Sequence, residues 1–116
     1  MFKIKRIYDE YSNDDGIRIL VDRLWPRGIS KEKAKLNDWF KNVAPSTELR
    51  KWFHHEPDKF QEFMLKYRHE LDENDPVELQ ELMELGKDHV VTLLYSAKDE
   101  EHNQAKVLIE YIQERL

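Results

Sequence analysis

Residues 90–95, Val90-Val91-Thr92-Leu93-Leu94-Tyr95, form the longest apolar run in the chain, interrupted only by Thr92. Six residues fall far short of the ~20 that a membrane-spanning helix needs. The run is also too continuous for a strand with one wetted face, whose side chains would alternate. It reads as a central strand buried on both sides, and a strand of that kind needs apolar layers above and below it. The rest of the chain must supply those layers, which predicts an α/β architecture.

Two shorter segments near the start have strand periodicity. Residues 2–8 put Phe2, Ile4 and Tyr8 on one face and Lys3, Lys5 and Ile7 on the other. Residues 17–22 alternate Ile17, Ile19 and Val21 against Arg18, Leu20 and Asp22. Between them, Ser12-Asn13-Asp14-Asp15-Gly16 is turn chemistry. That connection is too short for a crossover helix, so the two strands are expected to pair antiparallel. Trp25-Pro26-Arg27-Gly28 ends the second strand, because Pro26 disfavours helix at Trp25 and Gly28 accepts a turn.

The middle of the chain is helical in pattern. Residues 29–43 carry Leu36, Trp39, Phe40 and Val43 at near-helical spacing, which predicts one or two short helices. Ser46 and Glu48 mark a helix start that runs through Trp52 and Phe53 to about His55. Pro57 opens a segment whose stripe of Phe60, Phe63, Met64, Tyr67 and Leu71 is the strongest helical signal present. Asp75-Pro76-Val77-Glu78 begins another helix, expected to end at Gly86, and residues 101–115 form the last. The expected fold is therefore a single α/β domain over residues 1–116. It has a small three-stranded mixed sheet with four to five helices packed around it.

Composition narrows the function classes. The chain has no cysteine, so neither disulfides nor a thiolate nucleophile is available, which suits a reducing cytoplasm. The alternation of apolar and basic residues from Met1 to Arg6 does not match a signal peptide. A net charge of -5 argues against a dedicated nucleic-acid binder. The charge is uneven, however. Residues 1–35 hold nine Lys/Arg against six acids, so the first third is mildly basic and the helical part carries the acidity.

Two segments depart from what packing alone selects. In Val21-Asp22-Arg23-Leu24-Trp25-Pro26-Arg27-Gly28, two arginines flank a tryptophan at a strand end. A guanidinium offers a planar fork to carboxylate or phosphate, and an indole stacks on flat groups. The plainer alternative makes Trp25 core, pairs Asp22 with an arginine, and leaves Arg27 in solvent. In Tyr95-Ser96-Ala97-Lys98-Asp99-Glu100-Glu101-His102-Asn103, a buried strand gives way to a small-residue loop and a helix start. Ligands of open α/β sheets bind at this position, outside the carboxyl ends of strands. Against that, Asp99, Glu100 and Glu101 cap the helix and repel a phosphate, and no glycine-rich cradle is present.

His54-His55-Glu56 lacks metal-ligand spacing, since adjacent helical residues point about 100° apart. These residues, with His69 and His89, read as exposed polar positions. The aromatics Trp39, Phe40, Trp52, Phe53, Phe60, Phe63 and Tyr67 are spaced as core faces. No metal site is expected, and no cofactor is indicated.

Lys5-Arg6-Ile7-Tyr8-Asp9, the segment from Val21 to Gly28, Ala44-Pro45-Ser46-Thr47-Glu48-Leu49-Arg50, and Thr92-Leu93-Leu94-Tyr95-Ser96-Ala97-Lys98 followed by His102-Asn103 carry a resemblance. In this order, over essentially the whole chain, they resemble the YeaO-like family of small bacterial proteins, domain of unknown function 488. The resemblance implies a compact α/β domain in a bacterial cytoplasm and supplies no activity, so it assigns no catalytic roles. More distant relatives carry a cysteine and a His-Arg pair near the final strand–helix junction. This chain has no cysteine and has Asn103 after His102, so thiol chemistry does not transfer. Family labels as transcriptional regulators find no support in the charge balance.

The leading expectation is a small-molecule site at the carboxyl ends of the second and final strands. Arg23, Arg27 and Lys98 would contact an anionic group of a nucleotide-like or phosphorylated metabolite, and Trp25 and Tyr95 would flank a flat moiety. Asp22, Ser96, His102 and Asn103 would add polar contacts, with His102 or Asp22 the acid–base candidate if there is catalysis. The alternative is a non-enzymatic interaction module whose arginines pair internally while its acidic helices meet a partner protein. A nucleic-acid role ranks third.

Overall fold

The computed structural model describes residues 1–116. Its elements, in order, are β1 (Phe2–Arg6), β2 (Ile17–Leu20), α1 (Lys31–Ala34), β3 (Asp38–Trp39), α2 (Thr47–Phe53), α3 (Phe60–Asn74), α4 (Val77–Asp88), β4 (Val91–Tyr95) and α5 (Gln104–Gln113). Short 3-10 turns cover Asn13–Asp15, Lys41–Val43 and Pro57–Lys59. The α/β class and the five helices agree with the sequence reading.

The sheet differs from the one expected. It has four strands in the order β1-β4-β2-β3, and every pairing is parallel. β1 and β2 do not pair at all, because β4 occupies the slot between them. Phe2 lies opposite Val91 on one side of β4, and Ile17 lies opposite Val91 on the other. The link between β1 and β2 returns without a helix. Ten extended or turning residues at up to ~3.3 Å each suffice to retrace a five-residue strand. Here the link folds through the Asn13–Asp15 turn, capped reciprocally by Ser12 and Asp15.

Gly16 makes the entry into β2 possible. Its φ of 64° is left-handed, and an added Cβ would lie 2.2 Å from the Val90 carbonyl oxygen. That same carbonyl accepts the Ile17 amide at 2.9 Å.

β4 is buried at all five positions, as its apolar run predicts. On one face Val91, Leu93 and Tyr95 join Phe2, Ile19 and Val21 in the main core under α2–α5. Phe63, Tyr67 and Leu71 of α3, from the predicted stripe, and Ala105, Leu108 and Ile112 of α5 lie in this layer. The other face has a smaller core of Ile7, Leu20, Ala34 and Leu94, covered by Trp25, Ile29, Leu36 and Trp39.

The second face also holds a buried ionic knot. Arg18, only 1% exposed, binds the Asp15 carboxylate and donates to the carbonyls of Ala34 (2.8 Å) and Lys35 (3.1 Å). Lys5 reaches Asp15 at 3.1 Å, and the Thr92 hydroxyl donates to the Asp15 carbonyl at 2.6 Å.

Residues 29–43 hold two short helical pieces, as expected, the single turn of α1 and the 3-10 turn, but the two-residue β3 lies between them. Lys35 stops α1 in a left-handed conformation (φ 49°), and β3 then pairs with Ile19 and Leu20. Trp39, half-buried, turns its indole N–H to the Asp22 carbonyl at 2.7 Å. The spacing that resembled a helix is the spacing of residues lying over the sheet edge. Gly86 does not end α4, which continues to Asp88. It sits inside the helix because the Phe2 ring packs where a Cβ would be, at 2.3 Å. No helix is long and apolar enough to cross a membrane.

Candidate functional site

The carboxyl ends of β2 and β4 open into one cleft of about 370 Å³. Parallel strands carry their outgoing loops to the same edge, so the Trp25-Pro26-Arg27 turn and the Ser96-Ala97 loop meet here. Of the nine residues expected at the site, the cleft is lined by seven: Asp22, Arg23, Trp25, Arg27, Ser96, His102 and Asn103.

Tyr95 and Lys98 are not brought into it. Tyr95 closes the end of β4 with its side chain in the main core, because its parity matches Val91 and Leu93 rather than the loop. Burial and the nearby carboxylates of Glu100 and Asp9 raise its phenol pKa. Lys98 stands exposed on the loop, away from the cleft wall.

Asp22 forms the polar floor and is only 6% exposed. Its Oδ2 accepts the Ser96 amide at 3.0 Å, and its Oδ1 accepts the Gln104 side-chain amide. Burial pushes its pKa up, against the opposing pull of Ser96, Gln104 and the Arg50 charge.

The three arginines of the cleft are held differently. Arg23 donates through Nε to the Pro45 carbonyl (2.9 Å) and through Nη2 to the Ala44 carbonyl (3.1 Å). It thereby ties the strand end to the loop before α2, yet no carboxylate neutralises it. Arg27 is exposed at the mouth, where its carbonyl accepts the Tyr8 hydroxyl at 2.6 Å. Arg50 projects from α2, and its buried Nε has no hydrogen-bond partner. None of the three forms a salt bridge within the chain.

Several polar residues here are committed to structure. Asn103, 1% exposed, caps α5 by accepting the Lys106 amide at 2.9 Å, while its own amide donates to the Asp99 carbonyl. His102 Nδ1 lies 2.9 Å from Asp99, and its ring meets the Phe60 edge at 5.2 Å. Hydrogen bonds from the His102 and Glu101 amides hold the Asp99 carboxyl below its usual range. Trp25 donates to the Ile29 carbonyl at 2.9 Å and packs edge-on against Trp39 at 5.5 Å, so the indole is chiefly a wall.

Sequence reasoning missed Arg50, His55 and Gln104, all of which line the cleft. A signal existed for two of them. Arg50 precedes the core residue Phe53 by three, and Gln104 precedes Leu108 by four, so both share a buried helix face. His55 is placed by two successive left-handed residues, His54 (φ 47°) and His55 (φ 56°), which no periodicity announces. No group of three or more His, Cys, Asp or Glu side chains stands close enough to hold a metal ion.

A family model described as the inactive DUF488-N3 subclade matches residues 1–116. The chain belongs to this subclade. Among similar proteins, uncharacterized protein YeaO of Escherichia coli (strain K12) is 46% identical over 108 residues, 93% of each chain. An uncharacterized protein of Mycobacterium tuberculosis (strain H37Rv) is 41% identical over 113 residues, 97% of this chain and 94% of its own. No solved structure is significantly similar.

Proposed function

We propose that this protein binds an anionic small molecule in the cleft at the strand ends without turning it over. The observation that carries the reading is the charge of the cleft wall. Arg23, Arg27 and Arg50 face one concavity against the single carboxylate of Asp22, and none of the three is consumed by an ion pair. Unneutralised guanidinium groups in a partly desolvated cleft attract phosphate or carboxylate strongly, and their fork geometry suits both. The cleft volume is at the small end of the range for metabolite sites.

Binding without turnover is supported by how the acid–base candidates are tied down. His102 is engaged by Asp99, and Asp22 is committed to Ser96 and Gln104. The subclade's description points the same way. The interaction-module reading keeps one specific observation, Leu65, which stands 69% exposed beside Trp52 in a shallow groove between α2 and α3.

Thermal unfolding with added inorganic phosphate and pyrophosphate tests the proposal. A ligand at a hundredfold excess over Kd stabilises the native state by ~2.7 kcal/mol. We expect at least one of the two anions to raise Tm. Arg27→Ala should reduce the rise, and Lys98→Ala, outside the cleft, should leave it intact. No rise with either anion would reject the proposal.

A further inference from the structure

The floor of the cleft is complementary to something other than a bare anion. Asp22 can only accept when ionised, and a carboxylate has about four lone-pair sites. The Ser96 amide and the Gln104 amide occupy some of them. The Gln104 nitrogen lies against Asp22 Oδ1 and within 3.5 Å of the Val21 carbonyl, so both of its hydrogens face acceptors. This fixes which way the amide points. The carbonyl end, Gln104 Oε1, is left with no donor from the chain. Two acceptors, the Asp22 carboxylate and Gln104 Oε1, therefore stand side by side on a wall otherwise furnished with guanidinium donors.

An anion seated against Asp22 would be repelled by it. A ligand ammonium would answer Asp22 but meet the charge of Arg50, which acts on that same carboxylate. Neutral hydroxyl donors satisfy both constraints, and a vicinal pair spans two neighbouring acceptors. At the mouth, the exposed Arg27 remains for the anionic end, with Leu24, 57% exposed, and Tyr8 forming an apolar rim beside it.

Resting on the anion-binding reading above, we infer that the ligand is a phosphorylated polyol of the sugar-phosphate class. Its phosphate is held by Arg27 and its vicinal hydroxyls donate to Asp22 and Gln104. Inorganic phosphate then fills half of the site.

Calorimetric titration with ribose 5-phosphate and with methyl phosphate, which has the anion and no hydroxyls, tests this. Two hydroxyl hydrogen bonds, one of them to a charged acceptor, correspond to a preference of about tenfold or more for the sugar phosphate. Asp22→Asn and Gln104→Met should each lower the ratio of the two affinities, the two together should bring it close to one, and Arg27→Ala should weaken both ligands together. Circular dichroism checks that each variant folds, and the wild-type ratio decides the matter if Asp22→Asn does not. Equal binding of the two ligands by the wild type would overturn the sugar-phosphate assignment and leave the anion-binding reading standing. So would a preference that survives both floor substitutions. Binding of neither ligand would overturn both.

Discussion

Asp15 and Asp22 are the two buried carboxylates, and their surroundings push them in opposite directions. Burial raises the pKa of Asp15, but the Ser12 amide, Lys5 and Arg18 together outweigh it and hold the group below its usual range. Its contribution to stability is complete above the ordinary carboxylate pKa of about 4 and is lost as pH falls through the lowered value. Asp15→Asn leaves Arg18 buried without a counter-charge, and we expect a loss of about 3 kcal/mol in urea unfolding at pH 7. That loss should shrink as pH falls below about 4. For Asp22 burial prevails, so the ionised form is penalised in the native state, and the penalty grows as pH rises from the ordinary value through the raised one. The stability of Asp22→Asn relative to wild type should therefore improve between about pH 4 and pH 7, opposite in sign to Asp15→Asn. Parallel pH profiles for the two variants would contradict the assignment. A carboxylate kept in a cleft at a cost to stability is a common mark of a binding residue.

Helix positions were legible from sequence wherever an apolar stripe and a cap coincided. The stripe from Phe60 to Leu71 lies within α3, and Ser46 caps α2 by accepting the Leu49 amide at 3.1 Å. The last helix was placed three residues early, because Asn103 and not the preceding acids provides its cap. Within 29 to 43 the two short helical pieces were legible but β3 between them was not, because residues that edge a sheet can repeat at helical spacing and the left-handed Lys35 before it carries no compositional mark. At the site, the meeting of Trp25-Pro26-Arg27 with Ser96-Ala97 was readable from strand polarity, whereas Arg50 and Gln104 were hidden in helices without motifs. Gly16 was read correctly as turn chemistry, but its closeness to Val90 depends on a pairing the sequence did not reveal. Gly16→Ala should cost at least ~2 kcal/mol by chemical denaturation, since it combines a backbone region nearly closed to other residues with a collision against a carbonyl. Wild-type stability in that variant would show that β2 does not enter the sheet as described.

The cleft exists because every strand runs the same way and empties its loops at one edge. At that edge three arginines, Arg23, Arg27 and Arg50, face one carboxylate, Asp22. β1 and β2 touch each other only through β4, so the first ninety residues can form no more of the sheet than the two-residue β2–β3 pairing. A fragment ending at Asp88 should show little cooperative thermal unfolding by circular dichroism. Adding the remaining segment as a separate peptide should restore it. A fragment that melts cooperatively alone would mean that β1 and β2 find another partner.

The placement of β4 also bears on how the protein comes into being. During synthesis β1 emerges with no strand to pair with and β2 meets only the two-residue β3, so both wait for β4 while four helices are made. The centre of the sheet arrives almost last and has to be threaded between neighbours that are already waiting. Maturation of the native state is thus tied to the final quarter of translation, and contacts of such long sequence separation slow it. Until then the nascent chain offers two open strand edges to its surroundings, a period in which protection by chaperones matters most.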